Sequence, residues 1–232
     1  MTTVVSLGGS IVAPDMADAA FLTDFVRFIQ ELLDADQERK FIFVVGGGGP
    51  ARKWQQTYRE AREALGAAVV DRDADWIGIM ATRLNAQLVK AVMGDYCKDD
   101  VVINPSVPVA FTGRVLLAAG WKPGFSSDYD ATLLAEQFKA DALINLSNIA
   151  QVYTDDPKNN PHATPIDRIS WKDFRAMVGE EWAPGKNTPF DPVASRHADT
   201  LKLKVICASG KDLPNVKRLL AGEAFVGTEI SG

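Results

Sequence analysis

The chain has 232 residues, 47% of them hydrophobic and 24% charged, a balance that excludes a disordered tail, a collagen-like fibre and a disulfide-framed miniature. Lys and Arg number 25 against 30 Asp and Glu, a formal charge of −5, and no basic cluster stands out. A nucleic-acid groove built on phosphate neutralisation is therefore not expected, whereas a small anionic ligand needs only a few local donors.

Met1-Thr2-Thr3-Val4-Val5 runs straight into an apolar stretch, without the basic and long apolar regions of a signal peptide. No run approaches the ~20 apolar residues of a membrane helix, so a cytoplasmic chain with no membrane partner is expected. The first strand is predicted over residues 3–6 and ends in Gly8-Gly9-Ser10. A helix follows over 19–35, in which Phe21, Phe25, Phe28 and Leu32 form a stripe for the core or for an interface. The second strand, 41–45, runs into Gly46-Gly47-Gly48-Gly49-Pro50-Ala51-Arg52 and a helix over 50–65. A helix is predicted over 74–93, and Ile77, Met80, Leu84, Leu88 and Ala91, spaced three and four apart, are expected to form its buried stripe. Strands are predicted at 101–104 and 115–118, the latter ending in Ala119-Gly120-Trp121-Lys122-Pro123-Gly124. Then come a helix over 128–138, a strand over 142–146, an irregular loop over 153–167 and helices over 171–178 and 193–201. A strand over 205–208 and a helix over 213–220 close the pattern. The strands are nearly continuous in apolar residues, as strands covered on both faces must be. Their alternation with helices predicts one α/β domain over 1–232, a three-layer αβα sandwich around a mostly parallel sheet.

Ligands of such sheets bind beyond the carboxyl ends of the strands, and three predicted strands reach glycine there. Glycine lets backbone N–H groups approach an anion, and a helix N-terminus behind the loop adds free donors and the positive end of a dipole. Each loop alone reads equally as a tight turn; three at one end of a sheet point to phosphate. Arg52, in the first turn after the second loop, is suited to bind phosphate bidentately. Asp75 opens the next helix either as its N-cap or as an acceptor for sugar hydroxyls, and Ser126-Ser127-Asp128 is likewise a cap or an anion contact. A competing pattern is Gly46-x-Gly48-x-x-Ala51 followed by Val69-Val70-Asp71, which loosely matches a dinucleotide fingerprint. It opens at the second strand rather than the first and leaves the other loops and Arg52 unexplained. The Walker pattern is absent. Cys97 and Cys207 stand apart with no CxxC or Cys/His ladder, and His162 and His197 read as structural, so no metal-ligand set is predicted.

Taken together, these stretches resemble the amino-acid-kinase superfamily and, within it, the uridylate (UMP) kinases of the archaeal type. The likeness is carried by Ser6-Leu7-Gly8-Gly9-Ser10, by Val44-Val45-Gly46-Gly47-Gly48-Gly49-Pro50-Ala51-Arg52-Lys53 and by the segment from Asp75-Trp76-Ile77-Gly78 to Arg83-Leu84-Asn85-Ala86. It continues in Gly120-Trp121-Lys122-Pro123-Gly124-Phe125-Ser126-Ser127-Asp128, Val152-Tyr153-Thr154-Asp155-Asp156-Pro157-Lys158, Asp191-Pro192-Val193-Ala194 and Gly227-Thr228. The resemblance implies phosphoryl transfer from ATP to UMP, with Mg²⁺ held mainly by the ATP phosphates, and a homo-oligomer, a dimer or hexamer. It implies an N-terminal half for the acceptor nucleotide and a C-terminal half for ATP. Gly9, Ser10, Gly48 and Arg52 would surround the ATP phosphates, and Ser147, Tyr153 and Asp156 the adenosine side. Gly47, Asp75, Gly120, Trp121, Lys122, Pro123, Gly124, Phe125 and Ser126 would hold UMP, and Asp128 would join Arg52, Gly9 and Ser10 at the reacting centre.

The chain departs from that pattern at three places. Many relatives carry lysine where this chain has Ser6, leaving Arg52, Lys122 or Lys158 to supply the cation. Ala150-Gln151 replaces the usual Asp-Gly, and Ser147 a threonine. Trp121 and Lys122 stand in the acceptor loop. These departures keep two alternatives open: a superfamily kinase with another small phosphate or carboxylate acceptor, and a non-catalytic nucleotide or oxyanion binder similar to the molybdenum-storage proteins.

Overall fold

The computed structural model describes residues 2–157, 159–179 and 188–232. Among these residues nine strands and eight α-helices follow in order, beginning with β1 (Thr2–Leu7), α1 (Gly9–Val12), α2 (Ala19–Ala35), β2 (Lys40–Val45), α3 (Gly48–Ala64), α4 (Asp71–Met93), β3 (Val115–Ala118) and α5 (Ser127–Gln137). They continue as β4 (Ala142–Ser147), β5 (Val152–Tyr153), β6 (Pro165–Ile166), β7 (Arg168–Ser170), α6 (Trp171–Val178), α7 (Pro192–Leu201), β8 (Lys204–Ser209), α8 (Leu213–Leu220) and β9 (Thr228–Ser231). Seven strands form one sheet in the order β3-β2-β1-β4-β8-β9-β7, parallel from β3 through β8 and reversed at β9 and β7.

Alternation along each strand divides the core between the two faces. In β2, Phe41, Phe43 and Val45 pack against α1, α2, α4 and α8, while Ile42 and Val44 face α5, α6 and α7. This is the expected three-layer αβα sandwich, with α3 lying outside on α4. Helix starts are chemically marked: Asp18, Ser126, Ser170, Asp191 and Asp212 each cap the helix that follows, accepting a first-turn amide at 2.7–3.2 Å.

The stripe of α2 is core rather than interface: Phe25 and Phe28 are buried, and Phe21 and Leu32 pack against the same cluster. Residues 101–104 do not form a strand. Only Val102 bridges to Ala118, because Asn104 turns the chain away by accepting the Ser106 amide at 3.1 Å just before Pro105 ends the extended run. The segment 153–167 is not wholly irregular, since Val152 and Tyr153 pair antiparallel with Ile166 and Pro165. α4 begins at Asp71, four residues before Asp75, so Asp75 lies inside the helix and is not its cap. Cys97 and Cys207 are free and buried, and no described helix is long and apolar enough to cross a membrane.

Candidate active site

The sheet order reverses between β1 and β4, and that switch point places a crevice at their carboxyl ends. Gly8 opens it, its amide bound to Leu146 O at 2.8 Å. The glycine loops after β1 and β2 lie backbone against backbone. A Cβ on Gly9 would come 2.1 Å from Gly48 N; one on Gly48, at φ +64°, would come 2.3 Å from Gly9 O. Close packing thus accounts for these glycines by itself, and it also strips the loops of side chains. The Gly46 amide goes to Leu7 O at 3.0 Å and that of Gly49 to Ala13 O at 2.8 Å, while Pro50 has none. The amides of Gly9, Ser10, Gly47 and Gly48 take no acceptor among the described residues, leaving free donors at the starts of α1 and α3. Asn85, buried on α4, pins the second loop through Gly46 O and Gly47 O at 2.9 and 3.1 Å. Arg52 makes one long contact to Pro14 O at 3.4 Å.

The loop after β3 is held almost entirely by side chains. Thr82 Oγ1 accepts the Gly120 amide at 2.8 Å, and Arg83 donates to the carbonyls of Gly120 and Trp121 at 3.2 and 2.9 Å. Asp130 accepts the Trp121 amide at 3.1 Å, and Asp75 accepts that of Gly124 at 3.0 Å. Burial pushes the Asp75 carboxyl up. Lys122 Nζ lies 3.9 Å from the centre of the Trp121 ring and 5.1 Å from that of Phe125. Phe125 in turn packs on Tyr129, and Tyr129 on His197.

Where β1 meets α5, Ser6 Oγ donates to Asp128 at 2.8 Å and the Asp191 amide donates to its other oxygen at 3.2 Å. Burial, with Asp191 nearby, moves the Asp128 carboxyl up to about 6. Asp130 and Asp191 are also raised by burial, Asp130 to about 7. Each keeps one buried oxygen without a partner.

With this geometry in place, the chain matches a family model described as the Amino acid kinase family over residues 1–209. The chain belongs to the amino acid kinase family. The uridylate kinase of Archaeoglobus fulgidus is 35% identical to it over 233 residues, covering 100% of both chains. That of Methanosarcina mazei is 32% identical over 234 residues, 100% of this chain and 96% of the relative. The crystal structure of Archaeoglobus fulgidus uridylate kinase aligns with a TM-score of 0.80 at 32% identity, covering 100% of both chains. A UMP kinase structure from Bacillus anthracis gives a TM-score of 0.74 at 21% identity over 99% of this chain and 95% of its own, a likeness of fold alone.

Within this amino acid kinase the sequence candidates fall into two groups. Gly9, Ser10, Gly47, Gly48, Arg52, Asp75, Asp128 and residues 120–126 belong to the loops beyond β1, β2 and β3 and to the helices behind them. Ser147 ends β4 beside Ser209 of β8, Tyr153 lies on β5, and Asp156 in the turn beyond it accepts Asn159 Nδ2 at 2.8 Å. Gln151, at one of the departures, ties the β5–β6 hairpin down through Asp167 Oδ1 at 2.8 Å and Gly227 O at 3.1 Å. Lys158 lies outside the described residues. The dinucleotide reading fails on geometry: Val69-Val70 is not a strand, and Asp71 begins α4 paired with Arg59 at 3.3 Å. Thr82, Arg83, Asn85 and Asp130 were not singled out by their sequence. Asn85 was missed because the expected buried stripe through Ile77, Met80 and Leu84 is displaced: α4 buries Gly78, Ile79, Asn85, Ala86 and Val89, the small residues letting it lie close to the sheet, and leaves Met80 and Leu84 exposed. Among the described residues no group of three His, Cys, Asp or Glu side chains is arranged to hold a metal.

Proposed function

We propose that this amino acid kinase is a uridylate kinase, transferring the γ-phosphoryl group of Mg²⁺-ATP to UMP to give ADP and UDP in cytoplasmic pyrimidine nucleotide synthesis. The observation that carries the reading is the end-to-end likeness to the uridylate kinase of Archaeoglobus fulgidus, 35% identical with both chains covered throughout. The whole of 1–232 acts as one domain, its N-terminal half taking the acceptor and its C-terminal half ATP.

The transition state of phosphoryl transfer spreads charge over three oxygens and asks for alignment and positive potential more than covalent chemistry. The unpaired amides of Gly9, Ser10 and Gly48 and the guanidinium of Arg52 supply that potential around the ATP phosphates, and Mg²⁺ enters with ATP, held by its phosphates. The acceptor oxygen of UMP is already ionised, so no general base is needed. Gly47, Asp75 and residues 120–126 bind UMP. Asp75, which holds the Gly124 amide in this structure, exchanges that partner for a ribose hydroxyl when the acceptor enters. Asp128, oriented by Ser6 and the Asp191 amide, lies at the reacting centre. Ser147, Tyr153 and Asp156 flank the adenosine.

The reading extends to a homo-oligomer, a dimer or hexamer. Trp54, Met80 and Leu84 on α3 and α4 are 64%, 57% and 71% exposed around an apolar groove of about 380 Å³, a patch of the kind that a second copy covers.

The test is ADP release from Mg²⁺-ATP with UMP, CMP, AMP, GMP or no acceptor. Turnover selective for UMP is the expected result. Turnover with a different acceptor, or none from folded protein that binds ATP, overturns the reading in favour of another kinase or of a binding protein.

A further inference from the structure

All four polar backbone atoms of Gly120 and Trp121 are satisfied by side chains: the amides by Thr82 and Asp130, the carbonyls both by Arg83. The peptide unit joining the two residues is gripped at both ends of its dipole. Arg83 Nε sits 3.2 Å from the Gly120 oxygen, and Asp130 Oδ2 sits 3.1 Å from the Trp121 nitrogen. The Arg83 guanidinium on the oxygen and the Asp130 carboxyl on the N–H oppose any flip of that plane, because a flip breaks both hydrogen bonds at once. The plane sets the direction in which Trp121 leaves the backbone, and with it the start of the loop.

Asp130 is an unusual residue for a merely structural acceptor. It is 1% exposed, and its Oδ1 is buried without a partner. Among the described residues Asp130 forms no ion pair; Arg83, the nearest cation acting on it, turns Nε and Nη2 to the two carbonyls. Leaving a carboxyl oxygen unpaired in the interior is costly.

We propose that Asp130 is a positioning residue of the kinase, fixing the Gly120–Trp121 peptide plane so that residues 120–126 meet the acceptor nucleotide in one orientation. The assignment of that loop to UMP rests on the proposed function; the role of Asp130 in holding the loop does not. Asp130 touches no reacting atom in this scheme and acts through Trp121.

The test compares wild type, Asp130→Ala and Asp130→Asn. Ala removes the acceptor, whereas Asn keeps an oxygen for the Trp121 N–H without the charge. The Ala variant should raise KM for UMP about tenfold while KM for ATP stays within about twofold, and Asn should recover most of the loss. Hydrogen–deuterium exchange of the peptide covering 119–126 should quicken about tenfold in Ala and less in Asn, with the rest of the sheet unchanged. Equal rises in both KM values, no recovery by Asn, or unchanged loop exchange in folded Ala protein each overturns the proposal. Should the Ala variant fail to fold, Asn against wild type decides by the same exchange, faster in the loop alone if the proposal holds. A wild type inactive toward UMP defeats the kinase assignment, while loop exchange still decides the role of Asp130.

Discussion

Asp128, Asp130 and Asp191 hold their protons to higher pH than free carboxylates do, each chiefly because burial penalises the charged form. A folded-state pKa above the unfolded one means that the native chain binds more protons than the unfolded chain between the two values. For Asp130 that window runs from the ordinary 3.8 up to about 7, and for Asp128 up to about 6. The contribution of these groups to stability is therefore complete below pH 4 and is lost as pH rises through the window, opposite to that of a salt-bridged aspartate. The midpoint of thermal unfolding should fall between pH 5 and pH 8 in wild type. In Asp130→Asn it should fall less, the gap between the two proteins widening toward pH 8; a gap that is constant across this range would refute the assignment. The groups acting on Asp130 are Asp128 on its own helix and Arg83 on α4. β1 and β4 carry no titratable side chain, Lys40 of β2 lies over Phe111, and His197 of α7 is engaged with Glu136 at 2.9 Å.

At the scale of elements, the contact between the loops after β1 and β2 is the most demanding. Gly48→Ala meets both a left-handed backbone at φ +64° and two carbonyl oxygens within 2.3 Å of the new methyl. It should cost about 2–4 kcal/mol in urea unfolding, against about 1 kcal/mol for Gly66→Ala, which shares the conformation at φ +62° but has open space around it. Equal costs would mean that conformation rather than packing fixes the loop. Elements buried on both faces were the legible ones: β1, β2, β3, β4 and β8 are apolar runs whose ends declare themselves by glycine or by the next helix. β7 and β9 were not foreseen, because each is three or four residues long with a single isoleucine between polar neighbours. The glycine loops and Asp75 announced the site through motif and position. Arg83 and Asp130 did not, since an arginine on a long helix and an acid in a first turn are what solvent and the helix dipole ordinarily favour. Only tertiary folding turns both toward the same peptide.

For the whole molecule, the exposed apolar face of α3 and α4 sets the expectation for assembly. Light scattering after size exclusion should give a dimer or a multiple of it for wild type, and Leu84→Glu, at a position 71% exposed, should shift the protein to monomer without loss of folding. A monomeric wild type would reject this face as the contact.

The same helix has a further consequence. Asp75, Thr82, Arg83 and Asn85 of α4 grip, in order, the far end of the loop after β3, its near end and the glycine loop after β2. Met80 and Leu84 lie on its opposite side, toward solvent. Ten residues of helix separate the first grip from the last, about 15 Å at a fixed rise per residue. α4 therefore works as a ruler, spacing the two loops by a length that neither loop can alter. Any partner seated on its outer face leans on the back of that ruler, so assembly and the distance between the two loops are read from one rigid rod.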